Sequence, residues 1–154
     1  MQKYWPLLVF LVIAFSAAAF GAAFPPGEWY AALSKPSWTP PNWLFGPVWS
    51  ALYAMIGFSG WRLWNGRSSG TTPALAAWGV QLVLNALWSW IFFGLERPGL
   101  AFIEIAVLWL AILATMALAW RHDRLAAGLL GPYLAWVSFA SALTYAIWQL
   151  NPGH

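Results

Sequence analysis

The chain has 154 residues, 62% of them hydrophobic, with seven Lys or Arg, four Asp or Glu and a formal net charge of +3. A soluble domain of this length would have too few charged groups to cover its surface, so the composition is typical of a membrane protein. The scattered basic residues do not suggest nucleic-acid binding, and the absence of cysteine excludes disulfides and thiolate metal sites.

Apolar segments follow one another along almost the whole chain. A helix needs about 20 residues to cross the hydrocarbon core of a bilayer. No Lys, Arg, Asp or Glu occurs in residues 4–27, 36–61, 68–95 and 125–153. A fifth apolar segment, 98–120, contains one acid, Glu104. Each segment is continuously apolar rather than alternating, which favours helices over barrel strands.

The sequence therefore predicts an all-α integral membrane protein, a five-helix transmembrane bundle that forms one domain over residues 1–154. The predicted helices cover residues 4–24, 43–65, 73–94, 98–120 and 124–150. The second helix begins either near Trp43 or at Pro47. The first span has the order of charge, apolar run and small residues found in a secretory signal, but its apolar run continues to Phe24, so we expect a retained helix.

The link after the first helix, residues 25–42, is the longest irregular segment. It carries prolines at 25, 26, 36, 40 and 41, which make it stiff, and a short helix is predicted from Glu28 to Leu33. A long ordered loop is often functional. Later links begin new helices at Pro73 and Pro98, since proline suits the first helical turn.

The basic residues are distributed unequally between the two sides of the predicted bundle. One side carries Lys3, Arg62, Arg67, Arg121 and Arg124, whereas the other carries Lys35 and Arg97. By the positive-inside rule, this predicts a cytoplasmic N-terminus if the host is an inner membrane.

Three predicted helices each carry a face that combines aromatic with small or polar residues. At 100° per residue, these faces are Gln81, Asn85, Trp88 and Phe92; Tyr133, Trp136, Ala140, Thr144 and Ile147; and Trp49, Tyr53, Ile56 and Gly60. Such faces could line a pocket for a flat apolar ligand with a few orienting hydrogen bonds. Ordinary aromatic packing, with the amides bonded to neighbouring helices, explains the same pattern.

Glu104 is the one carboxylate inside a predicted span, and a buried acid in a membrane is a candidate functional group. A structural ion pair with Arg97, or a side chain reaching the membrane surface, would explain it equally. The two histidines, His122 and His154, lie at predicted membrane edges and suggest no metal site. No catalytic triad or phosphate-binding loop is recognisable.

Several sequence segments resemble the translocator protein family, also called tryptophan-rich sensory proteins, in a bacterial-type member. They are WYAALSKPSWTPPNWLFGPVWSALY from Trp29 to Tyr53, QLVLNALW from Gln81 to Trp88, FFG from Phe92 to Gly94, and PYLAWVSFA from Pro132 to Ala140. The first segment is highly specific, because membrane composition alone does not require that order of Trp, Lys and Pro.

The resemblance implies a multi-pass protein of a bacterial membrane, inner or outer, usually a homodimer, that binds porphyrins such as protoporphyrin IX, sterols such as cholesterol, and benzodiazepine-type ligands. The resemblance implies that the protein requires no cofactor. The first loop would cap the ligand pocket. The positions that match the family's pocket are Trp29, Trp38, Trp49, Asn85, Trp136, Ala140 and Leu143. Small residues of the third helix, Ala74, Ala77 and Gly79, offer a surface for close helix approach in a dimer.

Three functions follow from this resemblance. The first is a membrane sensor that binds tetrapyrroles and transports them or regulates their level. The second is an enzyme that degrades bound porphyrin with light and oxygen, for which Trp49 and Trp136 match the tryptophans implicated in the family. The third is a sterol or lipid transporter.

Overall fold

The computed structural model describes residues 4–66 and 70–152, and the regular elements in these ranges are helices. Lys3, Arg67 and His154 lie outside the described residues, as does part of the link between the second and third predicted helices. The predicted charge difference across the membrane therefore stays a prediction.

Within the part of the chain that the structure describes, seven α-helices follow one another. They are α1 (Trp5–Ala22), α2 (Glu28–Ala32), α3 (Asn42–Asn65), α4 (Thr72–Ser89), α5 (Pro98–Trp120), α6 (Arg124–Leu129) and α7 (Gly131–Leu150). A π-helical turn, Trp90–Gly94, extends α4. Proline occupies the first turn of α1, α4, α5 and α7, where its missing N–H costs no helical hydrogen bond.

The observed helices differ from the predicted ones in three places. The second predicted helix begins at Asn42, so Pro47 lies inside it. The third changes to π-helical geometry at Trp90, where the Leu95 amide donates to the Trp90 carbonyl at 2.8 Å. The fifth divides into α6 and α7 around Leu130, because Pro132 cannot donate the hydrogen bond that a continuous helix would need.

Within the described residues, four helical segments are long and apolar enough to cross a membrane. They are Trp5–Ala22, Thr72–Gly94, Pro98–Trp120 and Arg124–Leu150. Many of their large apolar side chains are exposed on the outside of the bundle, for example Leu8, Ile103 and Leu110. An outer surface of this kind suits a lipid environment. The chain is thus an all-α membrane protein, and α3, which is less apolar, is not among these four segments.

Two glycines of α3 allow α1 and α4 to approach closely. A Cβ added at Gly57 would lie 3.1 Å from the Leu11 backbone of α1, and one added at Gly60 would lie 2.6 Å from the Trp78 ring of α4. The Trp78 indole donates to the Ile56 carbonyl at 2.9 Å, which joins the same helices. α3 is therefore packed tightly against two of the membrane-length helices.

The bundle is closed at one end. There Arg62 Nε lies 2.8 Å from Asp123 Oδ2, and the Ser59 hydroxyl donates to the Ala126 carbonyl at 2.8 Å. Buried Leu63 and Ala74 pack beside these contacts in one cluster. Because Ala74 is fully buried within its own chain, it is not available for the predicted helix contact between two copies.

A long connection covers the opposite end of the bundle. We call residues 23–41, which join α1 to α3 and include α2, the lid loop. The short helix predicted in this loop is present as α2. Asn151, just after α7, accepts from the Ser34 amide at 3.0 Å and donates to the Ser34 carbonyl at 2.8 Å. This reciprocal pair holds the loop against the end of α7.

Candidate functional site

A cavity of about 530 Å³ lies beneath the lid loop. It is formed by the C-terminal parts of α1, α4 and α7 and the N-terminal parts of α3 and α5, which all meet at this end of the bundle. Phe24, Pro25, Pro26 and Tyr30 of the lid loop contribute to its wall. Its volume lies in the range of pockets that hold small molecules and cofactors.

Aromatic rings form much of the cavity wall. The Trp49 and Trp136 rings meet edge to face, with centroids 6.5 Å apart and an interplanar angle of 88°. Across the cavity, the Trp88 ring stacks on Phe92 at a centroid distance of 5.0 Å. Ala140 adds a small residue between these large ones. Rings on several sides of one space can hold a flat apolar molecule by stacking and edge contacts.

A row of buried hydrogen bonds runs from the cavity wall into the core. The Tyr53 hydroxyl donates to Asn85 Oδ1, and Asn85 Nδ2 donates to the Tyr133 hydroxyl at 2.9 Å. The Tyr133 hydroxyl donates to Gln81 Oε1 at 2.8 Å, and Gln81 Nε2 donates to the Trp78 carbonyl at 2.7 Å. We call Tyr53, Asn85, Tyr133 and Gln81 the polar chain. It ties α3, α4 and α7 together beside the cavity.

The predicted ligand-binding residues separate into two groups. Trp49, Tyr53, Asn85, Trp88, Trp136, Ala140 and Leu143 line the cavity. Trp29 and Trp38 are not among the lining residues: Trp29 packs on Phe92, and Trp38, which is 47% exposed, packs on Phe139. Phe92 lines the cavity, so Trp29 is one ring away from the wall, whereas Phe139 does not line it but packs on the lining residue Trp136. Contact of any of these residues with a ligand stays a prediction.

Part of the cavity lining is not apparent from the sequence. Phe15, Ala18 and Ala22 of α1 line the cavity, as do Phe45 of α3 and Phe93 of the π-helical turn. The spacing of the α1 residues places them on one helical face, but every face of α1 is apolar, so periodicity could not single it out.

Glu104 is buried in α5 and is not a lining residue. Among the described residues, neither of its carboxyl oxygens has a hydrogen-bond partner, and no ion pair joins it to Arg97. The alternatives of an Arg97 pair and of a side chain at the membrane surface are therefore wrong. In residues 4–66 and 70–152, no group of three or more His, Cys, Asp or Glu could hold a metal ion.

Two charged residues outside the spans hold the ends of this structure. Lys35 Nζ donates to the carbonyls of Tyr30 and Leu33, at 2.8 and 3.1 Å, and so caps the end of α2. Burial raises the pKa of the Tyr30 phenol. At the closed end, burial alone would raise the pKa of Asp123, but hydrogen bonds and attraction from Arg62, with backbone amides at the start of α6, lower the pKa overall.

These features define a helical membrane protein with an aromatic pocket, capped by a loop at one end of the bundle. The chain belongs to the TspO/MBR family, whose profile matches residues 7–149.

Similar proteins come from bacteria, archaea and animals. Protein CrtK of Rhodobacter capsulatus is 44% identical over 94% of this chain and 92% of its own length. Tryptophan-rich protein TspO of Archaeoglobus fulgidus is 42% identical over 94% of each chain. The human translocator protein is 38% identical over 99% of this chain and 95% of its own length. The similarity thus covers the whole bundle, including the lid loop.

Proposed function

We propose that this protein is a membrane sensor or carrier that binds a tetrapyrrole such as protoporphyrin IX in the cavity beneath the lid loop. The arrangement of Trp49, Trp88 and Trp136 around a space of about 530 Å³ is the observation that carries the proposal. The names of its relatives, translocator protein and tryptophan-rich sensory protein, agree with such a role. The porphyrin is a ligand in this proposal, and no resident cofactor is needed.

The proposal includes a five-span topology in a bacterial membrane, with two copies forming a homodimer. In this topology, α3 crosses the membrane in addition to the four apolar segments described above. It has 24 residues, which lies within the range of lengths of those segments. The hydropathy of α3 is lower because many of its residues are small or aromatic. Among them, Gly57 and Gly60 pack against α1 and α4, and Trp49 and Tyr53 line the cavity. Residues that pack on other helices or line a cavity do not need to be strongly apolar.

Loss of either wall tryptophan tests the binding site. We expect Trp49→Ala and Trp136→Ala each to weaken protoporphyrin binding about fivefold to tenfold, because each removes a ring face and leaves a gap in the wall. The measurement is a fluorescence titration of the purified protein with protoporphyrin IX. Trp43→Ala is the matched control, since Trp43 lies in the first turn of α3 but is 72% exposed and does not line the cavity. Equal affinities in all three variants would contradict the assignment.

A second function, light-dependent degradation of the bound porphyrin, is favoured by one observation. Trp49 and Trp136 lie edge to face in the cavity wall, so both indoles would lie near a bound porphyrin that absorbs light in the presence of oxygen. Illumination of the complex in air should then give a new absorption band, and Trp136→Phe should abolish that band while leaving binding intact. An unchanged spectrum under illumination would leave binding as the function.

A further inference from the structure

The polar chain has a single possible direction, and the backbone carbonyl of Trp78 sets it. A carbonyl oxygen can only accept hydrogen bonds, and Gln81 lies 2.7 Å from it, so the Gln81 amide must present its NH₂ group there. Its carbonyl oxygen then faces Tyr133 at 2.8 Å. The orientation of the Gln81 amide is thus fixed by the helix to which it belongs.

The same reasoning extends along the chain toward the cavity. Tyr133 has one hydroxyl hydrogen, and Gln81 Oε1 takes it, so the Tyr133 oxygen accepts from Asn85 at 2.9 Å. Asn85 must therefore turn its NH₂ group toward Tyr133 and its carbonyl oxygen toward Tyr53. The single hydrogen of the Tyr53 hydroxyl is in turn used by Asn85. Each step follows from the one before it, because every group has a limited number of hydrogens.

The consequence concerns the cavity wall, because Tyr53 and Asn85 both line it. We infer that Tyr53 meets a bound molecule as a hydrogen-bond acceptor, so the wall at Tyr53 favours flat apolar ligands that place an O–H or N–H donor there. Gln81 and Tyr133 do not line the cavity. They act as positioning residues, because they fix the direction of the hydrogen bonds that Asn85 and Tyr53 make. The inference deepens the proposed function and rests on it, since it requires a flat molecule in the cavity.

The burial of the polar chain makes the selection strong. Gln81 and Tyr133 have no exposed surface, while Asn85 and Tyr53 are 5% and 7% exposed. Water therefore cannot easily reverse the row or replace a missing ligand donor. A ligand group with no hydrogen to donate, such as an ether or a carboxylate, would leave the Tyr53 oxygen opposite another acceptor. The acid groups of a bound porphyrin should accordingly lie away from Tyr53.

A pair of pyrene compounds tests this polarity. 1-Pyrenemethanol and its methyl ether share the flat ring system and the oxygen, but only the alcohol donates. The measured quantity is the affinity for the alcohol divided by the affinity for the ether, in detergent. We expect this ratio to be about fivefold to tenfold larger for the wild type than for Tyr53→Phe. Division by the Tyr53→Phe ratio removes the difference in micelle partition between the two compounds. Affinities are measured by energy transfer from tryptophan to pyrene.

The Gln81→Met variant tests the positioning role without touching the ligand. Without the Gln81 acceptor, the Tyr133 hydrogen can turn to Asn85, the Asn85 amide reverses, and the Tyr53 hydrogen becomes free for the ligand. The preference for the alcohol should then fall to the Tyr53→Phe value. Leu82→Met is the control, since Leu82 is the next residue, is also buried and lies outside both the polar chain and the cavity lining. This variant should keep the wild-type preference.

The outcomes separate the inference from the proposed function. If the wild type and Tyr53→Phe give the same alcohol-to-ether ratio, or if a folded Gln81→Met variant keeps the wild-type ratio, the inference is overturned while the pocket stands. If Gln81→Met does not fold, the comparison with Tyr53→Phe decides alone. If the wild type binds protoporphyrin IX but neither pyrene compound, the inference is overturned and the proposed function stands; if it binds none of the three, both fall.

Discussion

Gly60 shows how a single residue determines the spacing of three helices. It lies where α3 crosses α4, and its missing side chain lets the Trp78 ring and the Phe10 ring approach the α3 backbone. Trp78 in turn provides the carbonyl that orients the polar chain. The packing of one glycine is thus linked to the geometry of the cavity wall.

Replacement of Gly60 by alanine should destabilise the protein by about 1–3 kcal/mol, because the added methyl group would lie 2.6 Å from the Trp78 ring and force it to move. The measurement is thermal unfolding in detergent, followed by tryptophan fluorescence. Gly79→Ala is the control: a Cβ there meets no atom within 4 Å, and alanine favours the helix by up to about 1 kcal/mol. A Gly60→Ala variant as stable as the Gly79→Ala variant would contradict this account of the packing.

The residues of α3, α4 and α7 that line the cavity could largely be predicted from sequence. Trp49, Asn85 and Trp136 stood out because aromatic and amide groups inside a span contrast with the aliphatic residues around them. The lining from α1 had no such contrast, because lipid and protein interior are both apolar and the helix therefore shows no hydrophobic face. Direct hydrogen-bond partners, such as Tyr133 for Gln81, depend on side-chain geometry that spacing does not give.

Within the described residues, the hydrogen bonds between Ser34 and Asn151 join the lid loop to the end of α7. Within the loop, Lys35 and α2 stabilise each other through main-chain carbonyls. The loop thus has its own internal structure, and it is attached to the bundle both by the hydrogen bonds of Ser34 and by the apolar packing of Tyr30 and Leu33.

Loss of the hydrogen bonds between Ser34 and Asn151 should speed ligand release. In Asn151→Leu, both hydrogen bonds to Ser34 disappear, so we expect bound protoporphyrin to dissociate about threefold to tenfold faster. Stopped-flow fluorescence after mixing with an excess of lipid vesicles gives the rate. Gln149→Leu, which alters an exposed residue in the same helical turn, should leave the rate unchanged. Equal rates in both variants would show that the attachment does not limit release.

Helix positions were predicted well where proline marks a boundary. The predicted limits of the fourth helix, 98–120, agree with α5, which begins at Pro98. The prediction was less accurate where the backbone departs from α-helical geometry, since apolar composition does not distinguish the π-helical turn Trp90–Gly94 from the α-helix before it. The positions of Trp29 and Trp38 in the lid loop likewise depend on how the loop folds back over the bundle.

At the scale of the whole molecule, the two ends of the bundle are stabilised by different interactions. The lid end encloses the cavity with aromatic rings, whereas the closed end uses small side chains and the pair between Arg62 and Asp123. Asp123 also accepts from the Leu125 and Ala126 amides and so caps α6. Its carboxylate is therefore the charged group on which the stability of the closed end depends.

This dependence predicts how stability varies with pH. The pKa of Asp123 in the folded protein lies below its usual value of 3.8, so its carboxylate stabilises the fold above that value and ceases to do so as the pH falls through the folded pKa. At pH 7, Asp123→Asn should lose about 1 kcal/mol or less, because the pair is partly exposed.

Melting temperatures of the wild type and of Asp123→Asn in detergent, measured from pH 7 to pH 3, provide the check. The difference between the two proteins should be largest at neutral pH and should shrink below about pH 4 as the wild-type carboxylate becomes protonated. A constant difference over the whole range would mean that the charge of Asp123 contributes nothing.

The position of the cavity at one end has a mechanical consequence for any movement of cargo. Between the cavity and the closed end, Tyr133, Ile56 and Leu82 fill the middle of the bundle with little or no exposed surface. A ligand that crossed the membrane along the axis of the bundle would have to push those side chains apart. Under the proposed carrier function, a ligand would therefore enter and leave the cavity at the lid end. Transport across the membrane would require the ligand to pass sideways between helices into the lipid.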